Sequence, residues 1–143
     1  VSRTVVLLCG PPGAGKTTTA RASGLSVFDR DDVQWRGDRE FSDALDRLGR
    51  SPSARAVVIR SGASSSARSA TARQVGATAV FVLLLPPDVL KDRVRARRRG
   101  DLVHTLAGVD RWFARFDRDD GVRDFPGSWP EALAPDLGAW STW

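Results

Sequence analysis

Thr4 to Cys9 is an unbroken run of β-branched and aliphatic residues, and Gly10-Pro11-Pro12-Gly13-Ala14-Gly15-Lys16-Thr17 follows it without a gap. The apolar run suits a strand buried on both faces. The glycine-rich stretch fits the spacing G-x-x-x-x-G-K-[ST], which by chance would occur in a chain of this length only about once in 200. Strand in and helix out is the context the motif requires. Its glycines let the backbone curl so that successive N–H groups face phosphate oxygens, and the helix that begins beyond Gly15 adds its positive end. The expected phosphate contacts are Gly10, Pro11, Pro12, Gly13, Ala14, Gly15, Lys16, Thr17 and Thr18. Lys16 is placed to reach the β- and γ-phosphates of ATP, and the Thr17 hydroxyl to ligate Mg²⁺.

The rest of the chain continues the alternation. Leu25 to Phe28, Ala56 to Ile59 and Ala79 to Leu85 read as three further strands. Helices are expected from Lys16, from Phe41 to Arg50, up to Val75, from Asp88, and from Leu102 to Phe116. This is the pattern of an α/β protein: a P-loop NTPase fold with a parallel sheet of about four strands flanked by helices. Residues 1–118 form the expected domain. Residues 119–143, with Pro126, Pro130, Pro135, Trp129, Trp140 and Trp143, form a tail expected to pack on that domain or on a partner. The string Asp-Arg-Asp-Asp occurs at both 29–32 and 117–120. In a chain so rich in both residues, it reads as coincidence.

Composition narrows the function. At 143 residues the chain is the size of one domain. A single cysteine, Cys9, permits no internal disulfide and reads as a small buried strand residue. The longest apolar run is too short to span a membrane, and the first residues lack a signal-peptide layout, so the expected location is cytoplasmic. The only histidine, His104, leaves no His-based dyad or zinc set and reads as a surface residue. The net charge of +5 is matched by Lys91 to Arg99, where six basic residues face one acid. That segment reads as one basic helix, either an anion site or a solvated face. Its Arg95, Arg98 and Arg99 either face solvent or meet a polyanion. No Asn-Lys-x-Asp string reads guanine, and Val57-Val58-Ile59-Arg60 ends without a Walker B carboxylate. A kinase remains.

A cradle followed by Arg30-Asp31-Asp32, and a later helix with Arg93 and Arg97 four apart, resembles the 5′-hydroxyl polynucleotide kinases and their small P-loop relatives. The resemblance covers roughly residues 5–116. It implies an arginine-rich helical lid near residues 88–100, Asp31 as general base, Arg97 as stabiliser of the transferred phosphoryl group, Arg93 as its support or a nucleotide contact, and a bacterial or phage-infected cell as the setting. Asp29 and Asp32 either hold metal-bound water or cap the next helix. Two positions depart from the family pattern, both where the acceptor should bind. Gln34 stands where an arginine is common, with Arg36 two residues on, and Arg60 replaces an acid or amide. Arg36, Arg60 and Trp35 are therefore the acceptor-side candidates, with Trp35 either stacking on a base or packing in the core. Trp112, Phe113 and Phe116 read as core.

The leading expectation is an ATP- and Mg²⁺-dependent transfer of phosphate to a hydroxyl on a nucleic acid, at a 5′ end or a hydroxymethylated base. The alternatives are a kinase for a small hydroxyl metabolite or nucleoside, and a nucleotide-binding regulatory module without transfer chemistry.

Overall fold

In the computed structural model, residues 3–97 and 102–130 are described. Five parallel strands, β1 (Thr4–Cys9), β2 (Ser26–Asp29), β3 (Arg55–Arg60), β4 (Ala79–Val82) and β5 (Arg123–Asp124), lie in the order β2-β3-β1-β4-β5. Helices α1 (Lys16–Arg21), α2 (Asp38–Arg50), α3 (Ser65–Val75), α4 (Pro87–Ala96) and α5 (Leu102–Arg115) occupy the connections. Parallel pairing forces such crossovers, because the chain must return to the same end of the sheet before each new strand.

β1 is the central strand, and all six of its residues are buried. Its alternate side chains serve two cores. Val5, Leu7 and Cys9 pack with Phe41, Leu45 and Leu48 of α2 and Val75 of α3. Val6 and Leu8 pack with Ala20 of α1 and Phe81 of β4. The two-residue period of a strand thus fills both faces of one sheet.

The helices begin where local chemistry starts them. Ser64 caps α3 by accepting a hydrogen bond from the Ala67 amide, and Gly76 closes it with φ +61°. α2 starts at Asp38, three residues before the expected Phe41, because apolar spacing marks only its buried positions. Asp38 and Glu40 in its first turn suit the positive end of the helix. β4 stops at Val82, short of the expected Leu85, where its partner β1 ends at Cys9, the residue in register with Val82.

The sheet has five strands where the sequence suggested about four. β5 pairs Arg123 with Phe81 and Asp124 with Val82. Two exposed polar residues carry no hydrophobic period, so this strand left no signal in the sequence. Buried Val122 before it and Phe125 after it, which meets Phe81 edge-on, anchor it. Trp129 then packs on Phe125 and donates its indole N–H to the Thr19 carbonyl at 2.7 Å. Residues 131–143, with Trp140 and Trp143, lie outside the described residues. Among the described residues, no helix is long and apolar enough to cross a membrane.

Candidate active site

The cradle spans the carboxyl end of β1 and the start of α1. Gly13 and Gly15 adopt φ +82° and +91°, a region that side chains disfavour, and so give the loop its curl. The Gly10 amide is bonded to the Ser61 carbonyl at 3.1 Å, which ties the cradle to the end of β3. From the other side Ala14 packs against Leu90 of α4 and Val109 of α5. Lys91 and Asp110 join those two helices at 2.8 Å. The helix carrying the arginines is therefore docked on the phosphate loop through apolar contacts.

Lys16 curls back over the loop, donating from Nζ to the Gly10 carbonyl and, at 3.5 Å, to that of Pro11. Burial pulls its pKa down, while the charges of Asp29 and Asp31 oppose that shift. Thr17 Oγ1 donates to Asp29 Oδ2 at 2.7 Å. Asp29, the last residue of β2, also accepts at Oδ1 from the Asp31 amide at 3.0 Å. Asp32 accepts from the Gln34 amide at 3.1 Å. Asp31 is exposed, and its carboxylate makes no hydrogen bond or ion pair with the described residues. Three neighbouring acids thus have three different settings: one braced on the threonine, one spent on a turn, one free.

These groups share a cleft of about 360 Å³, lined by Lys16, Thr17, Asp29, Asp31, Asp38 and Arg60 among others. Arg60 ends β3, in register with Cys9. The parallel register brings Lys16, Asp29 and Arg60, each at or just beyond a strand's carboxyl end, to one edge, where open α/β sheets bind ligands. Arg30 spans the cleft wall to Asp38 at 2.5 Å. Four larger cavities, of about 810, 470, 450 and 410 Å³, lie elsewhere, and none includes the cradle lysine or the acid of β2.

Not every expected residue arrives there. Trp35 lies outside the cleft. It stacks on Phe28, meets Phe41 edge-on and donates to the Asp29 carbonyl at 3.0 Å, so its ring is spent on packing. Arg36 sits in a shallow surface depression with Arg39 and Asp43, also outside the cleft. Thr18 lines the 810 Å³ groove beside Trp129. Arg93 does approach the cradle: a guanidinium nitrogen lies 3.8 Å from where a Cβ on Gly15 would stand. Arg97 caps the end of α4 and is exposed. Arg98 and Arg99 fall outside the described residues. His104 is exposed and Trp112 buried, while Phe113 and Phe116 are half-buried against it. Burial pushes the Cys9 thiol up to about 12, so it is no nucleophile at neutral pH. Asp38 carried no motif and was not singled out. Only the fold brings it to the cleft.

Among the described residues, no group of three or more His, Cys, Asp or Glu could hold an ion unaided. A threonine hydroxyl and a carboxylate 2.7 Å apart are nevertheless hard oxygen donors. Mg²⁺ typically takes one or two such ligands and completes its shell with water and phosphate oxygens. The residues fit.

No protein-family model matches the chain, and no curated protein matches it in sequence. Solved structures do. One is a gluconokinase from Sinorhizobium meliloti 1021, with a TM-score of 0.58 and 18% identity over 91% of this chain and 85% of that one. Another is a sugar kinase from Janibacter sp. HTCC2649, with a TM-score of 0.55 and 19% identity over 90% of this chain and 82% of that one. At such identities the likeness establishes the fold, which is that of the small P-loop kinases.

Proposed function

We propose that this protein transfers the γ-phosphoryl group of ATP to a hydroxyl of a small metabolite. One observation carries the reading: a free carboxylate, Asp31, shares a compact cleft with the cradle lysine and the Thr17–Asp29 pair. A positioned base, a phosphate clamp and an oxygen pair for a hard cation are what such a transfer needs.

In this mechanism Asp31 accepts the proton as the acceptor oxygen attacks the γ-phosphorus and the bond to the ADP oxygen breaks. Lys16 and Arg93 spread the charge of the phosphates from two sides, with Arg97 following on the same helix face as Arg93. Thr17 and Asp29 would hold Mg²⁺, which supplies charge neutralisation on the phosphate oxygens. Catalysis is then mainly positioning and electrostatics.

The nucleic-acid acceptor implied by the sequence resemblance has less support. The structures matched above carry the names of small-molecule kinases. On α4, Arg95 is paired with Asp92 at 3.2 Å on an exposed face. The cleft, at about 360 Å³, is also of the size that holds small molecules.

The test is transfer of labelled γ-phosphate with Mg²⁺ to a panel of sugars, sugar acids, polyols, nucleosides and 5′-hydroxyl oligonucleotides, with Lys16→Ala as blank. Label in the small pool is the expected result. Label confined to oligonucleotides would replace the metabolite reading with the polynucleotide one. ATP binding with no label anywhere would leave a regulatory module.

A further inference from the structure

Arg60 differs from Arg68, Arg3 and Arg30, whose donors are already taken. Arg68 uses all five of its N–H groups on Asp120 and on the carbonyls of Gly62, Ala63 and Asp117. Arg3 is spent on four carbonyls, those of Leu48, Ser51, Val75 and Gly76. Arg30 is paired with Asp38. The Arg60 guanidinium donates no hydrogen bond and forms no ion pair with the described residues, although three aspartates line the same cleft.

Yet Arg60 is not a loose surface side chain. It is half-buried at the last position of a central strand. Its Cζ stands 5.6 Å over the ring of Phe41, which is itself 1% exposed. A cation held against a buried aromatic face loses part of its rotational freedom in advance, so less is lost when it binds. The guanidinium fork matches a carboxylate or phosphate through two parallel hydrogen bonds.

We infer that Arg60 reads an anionic group on the acceptor: the substrate is a small hydroxyl compound bearing a carboxylate or phosphate. Its anion lies at Arg60, and its reacting hydroxyl lies at Asp31. Among the described residues, Asp31 and Arg60 are the charged groups of the cleft whose side chains make no hydrogen bond or ion pair, one negative and one positive, and they divide the acceptor between them. This inference rests on the phosphotransfer reading above. Asp29 and Asp38 do not compete for Arg60, because Thr17 and Arg30 already engage them.

The experiment measures acceptor binding by calorimetry in the presence of Mg²⁺ and a non-hydrolysable ATP analogue, and transfer separately with ATP. The probes are an aldonic acid, the matching sugar phosphate and the matching neutral polyol, tested on the parent protein, Arg60→Gln and Arg60→Lys. The parent is expected to prefer an acidic probe to the neutral one by about 10–100-fold, the worth of one charge-assisted pair. Arg60→Gln should erase that preference by raising KM for the acid more than KM for ATP. Arg60→Lys should restore part of it, since charge returns without the fork. It also stands in should the glutamine variant fail to fold. Whether the carboxylate or the phosphate probe gains more identifies the anion. Equal affinity of parent and Arg60→Gln for every acid overturns the inference, as does a parent preference for the polyol. Arg60-dependent binding of an acid without transfer would uphold the anion site and overturn only the phosphotransfer reading.

Discussion

The same four residues, Asp-Arg-Asp-Asp, occur at 29–32 and at 117–120, and they fold locally in the same way. In each, the first aspartate accepts from the amide of the third residue, at 3.0 Å in both copies. In each, the fourth accepts from the amide two residues further on, at 3.1 Å from Gln34 and 3.3 Å from Val122. In each, the arginine pairs with a later aspartate, Asp38 in one and Asp124 in the other. Short aspartate side chains reaching back to nearby amides produce this pair of turns wherever the string occurs.

Their fates then diverge. The first copy leaves a strand at the cradle edge, so its leading aspartate meets Thr17 and its third faces the cleft. The second copy follows α5 and closes over Arg68, whose side chain is 0% exposed. There the fourth aspartate, not the third, carries the load: Asp120 takes two hydrogen bonds from Arg68, at 2.7 and 3.0 Å. That clamp holds the loop after β3, where Trp112 also reaches the Ser61 carbonyl at 2.7 Å. One string leaves a charge unspent at the cleft, and the other satisfies a buried one.

Substitutions can separate the two. Asp31→Asn should lower kcat for phosphotransfer by about 10²–10⁴-fold, the span typical of a positioned base, with the melting temperature unchanged. A parental rate in that variant would remove Asp31 from the mechanism.

Arg68→Met should cost about 3–5 kcal/mol of stability in urea titration, because it strands Asp120 and three carbonyls that the guanidinium served. A loss below about 1 kcal/mol would mean that water takes over those partners readily.

Acid offers a gentler probe of the clamp. Hydrogen bonds from Arg68 hold the Asp120 carboxyl below its ordinary value of 3.8. A depressed folded pKa gives stability that is complete above 3.8 and lost as pH falls through the folded value. Denaturation followed from about pH 5 to about pH 2.5 should therefore show a steeper acid loss in the parent than in Asp120→Asn. Equal slopes would separate the ion pair from acid unfolding.

The smallest effect belongs to Asp119, the counterpart of Asp31 in the second copy. Asp119→Asn should change stability by no more than about 0.5 kcal/mol and leave transfer unaltered. A measurable loss of activity there would break the distinction between the two strings.

The first strand, the cradle and the helix after it were legible because each is a local pattern: an apolar run, glycines where φ must be positive, then a helix start. Lys16, Thr17 and the acids after β2 follow from the same stretch. Arg60 was legible as a departure at a strand end, and its place in the cleft follows from parallel register. Other features were not. Arg68 is one arginine among twenty, in a helix with no motif. Its partner lies 52 residues away. Trp35 suits stacking on a base or packing in the core, and only Phe28 of β2 and Phe41 of α2 decide for packing. β5 has two residues, too few for any period.

By itself the sequence determined what short-range hydrogen bonding and backbone freedom decide: the strand-cradle-helix unit, the α3 cap at Ser64, and the turn that Asp-Arg-Asp-Asp makes twice. Tertiary structure alone decided which of those charges are neutralised. A hydrogen bond across two or three residues depends only on residue type. The electrostatic state of a side chain depends on what distant segments bring beside it and on how much water they exclude. Arg68 met Asp120 and left the solvent. Arg60 met an aromatic ring and kept its donors.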